Sequence, residues 1–134
     1  MIKYATLDDF NILKQHEHCI SDDELVNSIH LKRVLIMTDD SGLTGWLRYN
    51  LFWDNTPFMN MLYILDDHRG KGNGTALVRF WEEQMLALGY ESVMTSTLSN
   101  EQAQFFYRRL GYTDCGSLLL PGEALEIIFR KNLR

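Results

Sequence analysis

Apolar and polar residues alternate in "MIKYAT", which predicts an opening strand. The next two segments, "DDFNILKQHEHC" and "SDDELVNSIHLK", space their apolar residues as short helices do. The second has Ser21 at the N-cap and Glu24 at the capping-box position. "RVLIMTDD" reads as a strand ending in a turn at "DDSG". Two further strands, "LTGWLRYNLFW" and "FMNMLYIL", flank "DNTP" as a hairpin would. A glycine-rich stretch then leads into "TALVRFWEEQMLALG". There Leu77, Phe80, Trp81, Gln84, Met85 and Leu88 fall close to one helical face, and Gly89 supplies the stop. "ESVMTSTL" reads as a strand, "SNEQAQFFYRRLGY" as a helix capped by Ser99 or Asn100 and left at Gly111, and "LEIIFRK" as the closing strand. The order β-α-α-β-β-β-loop-α-β-α-β-β predicts an α/β chain, with helices on a mixed sheet.

Length and composition narrow the class. The 134 residues suit a single domain, 1–134, and neither a repeat nor a Pro/Ser-rich linker divides them. With 46% apolar and 23% charged residues the chain is ordinary for a globular protein. No apolar run approaches the ~20 residues that span a bilayer, so no membrane partner is expected. "MIKYATLDDF" reaches acidic residues too early for a signal peptide. Two cysteines, Cys19 and Cys115, make no disulfide framework and fit a reducing compartment, so the expected location is cytoplasmic. A net charge of −5 argues against a nucleic-acid partner, which would need a basic face. Asp8, Asp9, Glu17, Asp22, Asp23 and Glu24 are opposed early on by few cations. They form either a solvated surface or a rim that attracts a cationic substrate.

"DDHRGKGNGTALV" carries the chemistry. A strand, a glycine-rich turn and a helix start bring unpaired N–H groups to one point, where the helix dipole also favours an anion. Glycines let the backbone approach closely and permit positive φ. A Walker loop, G-x-x-x-x-G-K-[ST], is absent. A dinucleotide fingerprint counted from Gly70 meets Thr75 where its third glycine belongs. The pattern R-x-x-G-x-G fits Arg69, Gly72 and Gly74 without adjustment.

With that pattern on its strand, "LYILDDHRGKGNGTALV" resembles the acetyl-CoA motif of the GCN5-related N-acetyltransferases (GNAT). "SNEQAQFFYRRLGY" is similar to the family's N-x-x-A-x-x-F-Y-x-x-x-G-F/Y segment, matching at Asn100, Ala103, Phe106, Tyr107, Gly111 and Tyr112. Asn73 departs from the aliphatic or histidine residue common there, but asparagine tolerates capping or left-handed geometry. The resemblance implies a GNAT-type fold: a central, mixed but mostly antiparallel sheet of six to seven strands, flanked by about four helices. It also implies acetyl-CoA as co-substrate, without a metal. The pyrophosphate then lies on Arg69, Gly70, Lys71, Gly72, Asn73 and Gly74, with Thr75 at the helix start, mostly through backbone N–H groups. The pantetheine arm lies along the backbone of Leu62, Tyr63, Ile64 and Leu65 and against the Asn100 side chain. Tyr107 matches the family's usual general acid to the thiolate. Its phenol, with an ordinary pKa near ~10, is protonated at neutral pH. The alternative is a Tyr107 that only packs between helix and sheet.

The implied activity is direct transfer of an acetyl group to a primary amine, with a small-molecule amine favoured by the acidic N-terminal segment. The alternatives are a protein lysine or N-terminal acetyltransferase, and a non-catalytic acyl-CoA-binding module. A homodimer is a family-level expectation. No base is identified; Glu24, Asp54 and Glu123 are carboxylates in regions that could border an acceptor cleft. "HEH" at His16–His18 has the wrong helical spacing for a metal pair, and His68 reads as a solvent-facing loop residue or as one that touches a phosphate. Cys115 has no histidine partner for a nucleophile. In the strands around Trp46 and Trp53, alternation predicts one core side and one side free for an acceptor or a subunit. "CGSLLLPGEALEII" predicts an apolar loop between the last two strands, packed into the core or shaping such a surface.

Overall fold

In the computed structural model, which describes residues 1–134, the alternating segments are strands and the 3.6-periodic ones helices. The order is β1 (Ile2–Tyr4), α1 (Phe10–His16), α2 (Asp22–His30), β2 (Val34–Asp39), β3 (Gly42–Phe52), β4 (Thr56–Ile64), α3 (Asn73–Ala87), β5 (Ser92–Leu98), α4 (Ala103–Arg109), β6 (Thr113–Leu118) and β7 (Glu126–Asn132). The strands form a seven-stranded mixed sheet in the order β1-β2-β3-β4-β5-β7-β6. β4 and β5 run parallel, pairing Phe58 with Met94 and Met59 with Thr95. A parallel step needs a crossover, and the segment carrying α3 provides it. The β1–β2, β2–β3, β5–β7 and β6–β7 ladders are antiparallel. Because β7 inserts beside β5, β6 is left as an edge strand, exposed along its whole length. No helix is long and apolar enough to cross a membrane.

By contacts the chain divides into two compact units: residues 1–50 with 61–81, and residues 51–60 with 82–134. In the first, Leu13, Leu25 and Ile29 of α1 and α2 bury with Val34, Ile36 and Trp46. Ser21 caps α2 as expected, accepting from the Glu24 N–H at 3.2 Å. The strand β3 is buried continuously from Thr44 to Tyr49. Trp46 joins the α1–α2 cluster, whereas Tyr49 lies 5.8 Å from Trp81 of α3. The free side expected from alternation around Trp46 is therefore absent there; such a doubly covered strand lets even its polar Thr44 and Arg48 be buried.

In the second unit β5 presents Val93, Thr95 and Thr97 to the interior, beside Ile127 and Phe129 of β7. Both family-like helices end in a left-handed glycine. Gly89 (φ +97) follows α3, with Tyr90 N–H on Met85 O at 3.1 Å and Gly89 N–H on Leu86 O at 3.0 Å, the paired bonds of a Schellman motif. Leu88 is the one expected helix-face residue that lies outside; it follows the last helical residue, so it does not share the face buried through Leu77, Trp81 and Met85.

Two boundaries differ from expectation. The α4 helix begins at Ala103 after Gln102, not at Ser99 or Asn100, which lie in a preceding turn. The β3–β4 turn is Phe52–Asn55 instead of "DNTP". Trp53 (φ +54) and Asp54 (φ +64) are both left-handed and Asn55 N–H reaches Phe52 O at 3.2 Å, a type I′ geometry. Such a turn is normally signalled by Asn-Gly, and Trp-Asp conceals it. The "LLL" segment does not pack into the core: Leu118, Leu119 and Leu120 are exposed.

Candidate functional site

The residues singled out from the sequence fall in both units: Leu62–Leu65 and Arg69–Thr75 in the first, Asn100 and Tyr107 in the second. In the first unit, β4 ends at Ile64, a 3-10 turn covers Asp66–His68, and α3 opens at Asn73. Gly70 (φ +74) and Gly72 (φ +81) take conformations that side chains resist, and open space faces the missing Cβ of each. Ala76 N–H bonds Gly72 O at 3.0 Å to close the first helical turn. The amides before it lack an i−4 partner, as at any helix N-terminus. Asn73 is not left-handed. It is the first helical residue, and its Nδ2 donates to His68 O at 3.0 Å, tying the helix start back to the turn.

The cations of this loop differ in what holds them. Lys71 is exposed. Arg69 folds back: its Nε donates to Ile64 O at 2.8 Å, its guanidinium lies 3.1 Å from Asp66, and it covers the Tyr63 ring at 4.9 Å. His68 is half-buried instead of solvent-facing, its Nδ1 3.6 Å from Asp39 Oδ2. Hydrogen bonds from Ser41, then the His68 and Lys71 charges, hold the Asp39 carboxyl below the usual carboxylate range.

Behind Tyr63 lies a network that sequence reading missed. Tyr63 stacks on Trp46 at 5.0 Å, and His16 covers Trp46 at 5.9 Å. The Trp46 Nε1 donates to Glu17 Oε2 at 3.0 Å, and Arg48 Nε approaches the same oxygen at 3.3 Å. Glu17 is 2% exposed and its Oε1 has no partner. From "HEH", Glu17 supplies the buried carboxylate while His16 lies against the Trp46 ring. Gly45 explains how β3 comes so close: a Cβ there would sit 2.8 Å from Tyr63 O and 2.6 Å from Ile64 Cδ1. A glycine inside a strand pattern signals such an approach.

In the second unit the Asn100 turn follows β5, and Ser99 N–H donates to Leu125 O at 2.7 Å. Tyr107 is buried on α4, with Tyr112 at 5.8 Å and Phe129 at 6.1 Å. The helix exit explains the pairing. Gly111 (φ +95) is the C′ residue, and Tyr112 N–H returns to Tyr107 O at 3.1 Å. Burial pushes the Tyr107 phenol up to about 12, a hydrogen bond with Thr95 opposes this, and the Glu101 charge adds to it. Thr95 in turn donates to Met59 O at 3.0 Å. The Tyr112 hydroxyl donates to buried Glu82 at 2.8 Å, and Lys131 Nζ completes that carboxylate at 2.9 Å. Burial, then the Glu82 charge, raises the Tyr112 pKa strongly.

The sequence matches the model of the Acetyltransferase (GNAT) family over residues 4–112. The chain belongs to this family. No curated protein matches it. Among solved structures, a GNAT-family acetyltransferase from Bacillus cereus is similar at TM-score 0.78 and 23% identity, covering 98% of this chain and 96% of the other. The PaiA N-acetyltransferase of Thermoplasma acidophilum, solved in complex with coenzyme A, aligns at TM-score 0.80 with 17% identity and 98% of each chain covered. The ribosomal-protein-S18-alanine N-acetyltransferase of Escherichia coli aligns at TM-score 0.79 with 14% identity, covering 99% of this chain and 93% of that one. At such identities these neighbours show the fold alone.

A GNAT acetyltransferase uses acetyl-CoA, and the loop at Arg69–Thr75 fits an anionic group of that kind. It combines open space at two left-handed glycines, unpaired helix-start amides and an exposed lysine. The acidic N-terminal segment is partly accounted for by local structure. Asp9 accepts from Thr6 N–H at 2.8 Å, Asp22 pairs with Lys14 at 3.0 Å and Glu17 is buried. Asp8, Asp23 and Glu24 stay exposed.

Proposed function

We propose that this acetyltransferase, acting as one functional domain over residues 1–134, moves the acetyl group of acetyl-CoA directly to the primary amine of a small molecule. Acetyl-CoA supplies an activated thioester, and the chain's own groups do the rest. The backbone amides and cations of Arg69–Thr75 seat the pyrophosphate. The strand backbone of Leu62–Leu65 and the Asn100 side chain align the pantetheine arm. Tyr107 serves the departing sulfur as a proton donor.

The observation that carries this reading is the pair of left-handed glycines, Gly70 and Gly72, opening onto the start of α3. A turn of this shape with side chains in place of glycine would block the anion's approach. The Tyr107 role is supported by its match to the family's tyrosine; its phenol is protonated at physiological pH, and burial, which pushes it up to about 12, makes it a weaker acid than a free phenol near ~10. A free thiol near ~8.5 is the stronger acid. Tyr107 therefore gives its proton to sulfur only as the negative charge of the breaking C–S bond builds there, and the proton that the amine loses on forming the C–N bond returns to the phenoxide through solvent. Asp8, Asp23 and Glu24, still exposed on the first two helical segments, support a cationic small amine as acceptor.

Replacement of Tyr107 by Phe tests the donor role. Turnover, measured as free CoA release over a panel of small amines, is expected to fall by about 10²-fold or more, while acetyl-CoA affinity by calorimetry stays within about twofold. Equal turnover in Y107F removes Tyr107 from the chemistry. Acceptance of peptide N-termini or lysines, with no small amine turned over, replaces the acceptor assignment.

A further inference from the structure

The hairpin tip, the β5 start and the β6–β7 ladder border an open cavity that the acetyl-transfer reading leaves unused. It measures about 330 Å³ and is lined by Phe52, Trp53, Thr56, Met94, Cys115, Ile128 and Arg130, all of the second unit. Its walls are aromatic and aliphatic, and no acidic side chain lines it. Met94 and Arg130 are cross-strand partners, so the cation stands directly beside the apolar floor. Arg130 takes part in none of the chain's ion pairs, and its guanidinium has no hydrogen-bond partner. The neighbouring cations are already engaged: Arg108 with Asp114, Lys131 with Glu82.

A second cavity, about 510 Å³, shares Arg130 and Cys115 with the first and is otherwise lined by Gly111, Thr113, Lys131 and Asn132. Arg130 therefore borders an apolar space on one side and a polar one on the other. The aromatic wall is also held at a cost. Trp53 is 80% exposed and left-handed at φ +54, a conformation that a bulky side chain resists and that glycine would relieve. It nonetheless lies 4.7 Å from Phe52, forming a two-ring surface. Strain of this sort in a surface turn persists where the side chain has a use.

We infer that this cavity is a binding site for an aryl carboxylate, separate from the acetyl-CoA loop: the ring packs on Phe52 and Trp53 over Met94 and Ile128, and the carboxylate takes the free Arg130. The size suits a small organic ligand. An exposed guanidinium with no partner in the chain, at the edge of an open apolar pocket, favours a monoanion, since a neutral ring leaves it unused and a cation is repelled. The inference does not depend on the acceptor or on the role of Tyr107.

Cys115 lines the cavity and is a free, exposed thiol, whereas Cys19, equally free and exposed, lies in the other unit. They form a reporter and its internal control. The alkylation rate of each cysteine by iodoacetamide is followed by peptide mass spectrometry, with 1-naphthoate, 1-naphthalenemethanol or 1-naphthylmethylamine present. Saturable slowing of Cys115 by naphthoate, several-fold, with Cys19 unchanged and the two analogues much weaker, is the expected result. Arg130→Gln is expected to abolish the preference for the carboxylate. Trp53→Gly, which suits the turn, is expected to weaken binding while leaving the melting temperature equal or higher. No protection at millimolar naphthoate overturns the proposal, as does protection unchanged in both variants. Sedimentation showing a dimer in which Cys115 is already shielded, and which Trp53→Gly dissociates, also overturns it and assigns the face to a second copy.

Discussion

Glu17 shows how much one side chain can hold. Its carboxylate is buried, accepts from Trp46 and Arg48 through one oxygen, and leaves the other without a partner. A buried pair contributes little over a well-packed apolar one, but losing one member strands the other charge. Glu17→Leu is therefore expected to destabilise the fold by about 3–5 kcal/mol. The double variant Glu17→Leu, Arg48→Met is expected to recover a large part of that loss. Urea unfolding of the two variants and the parent measures the coupling, and additive losses would mean that no charge is stranded. No local sequence signal marks this pair, because its members meet from 31 residues apart. "HEH" draws attention to its histidines, while the residue between them carries the interaction.

At the scale of elements, the legible features are those whose physics is local. Gly70, Gly72 and Gly111 announce themselves because few other residues take positive φ, and "FYRRLGY" encodes a helix exit that packs Tyr112 against Tyr107. The β3–β4 turn is misread for the converse reason: Trp53 and Asp54 occupy left-handed positions without the residues that advertise them. Lys32 does the same after α2, at φ +58, with Arg33 N–H on Ser28 O at 2.8 Å. Lys32→Gly is thus expected to raise stability by about 0.5–1 kcal/mol, measurable by thermal denaturation. Gly45 is the opposite case, where space and not φ is limiting. Gly45→Ala brings a Cβ against the Tyr63 carbonyl, so β4 must shift at its Tyr63–Ile64 end. A loss of about 1–3 kcal/mol is expected, accompanied by weaker acetyl-CoA binding, since Leu62–Leu65 are proposed to hold the pantetheine arm. Unaltered affinity in a folded Gly45→Ala protein would separate that strand from the co-substrate.

For the whole molecule, the buried tyrosines set a limit on the alkaline side. The Tyr107 phenol is raised to about 12 and that of Tyr112 is raised more strongly, so both remain protonated in the folded chain after an unfolded phenol, near ~10, has ionised. Above that value the unfolded state binds fewer protons than the folded one, and stability falls as pH rises. The contribution is complete below pH ~10 and is lost between ~10 and ~12, with about 2–3 kcal/mol from Tyr107 alone. Denaturation followed from pH 8 to pH 12 should show the decline steepening above ~10. It should be shallower in Y107F, because that variant has no phenol to ionise there.

The sequence by itself determined the element order, the α/β class, the glycine loop and the α4 motif, and through them the GNAT family. Each of these depends on contacts within one helix, one turn or one strand, where residue type and spacing suffice. Only the tertiary structure decided that Arg69 turns back onto Tyr63, that Glu17 lies beneath Trp46 and that Glu82 joins Tyr112 to Lys131. It also decided that Arg130 is left unpaired beside an apolar cavity. The partners in these arrangements come from distant parts of the chain. Their meeting depends on which face each element buries, and no single segment contains that information.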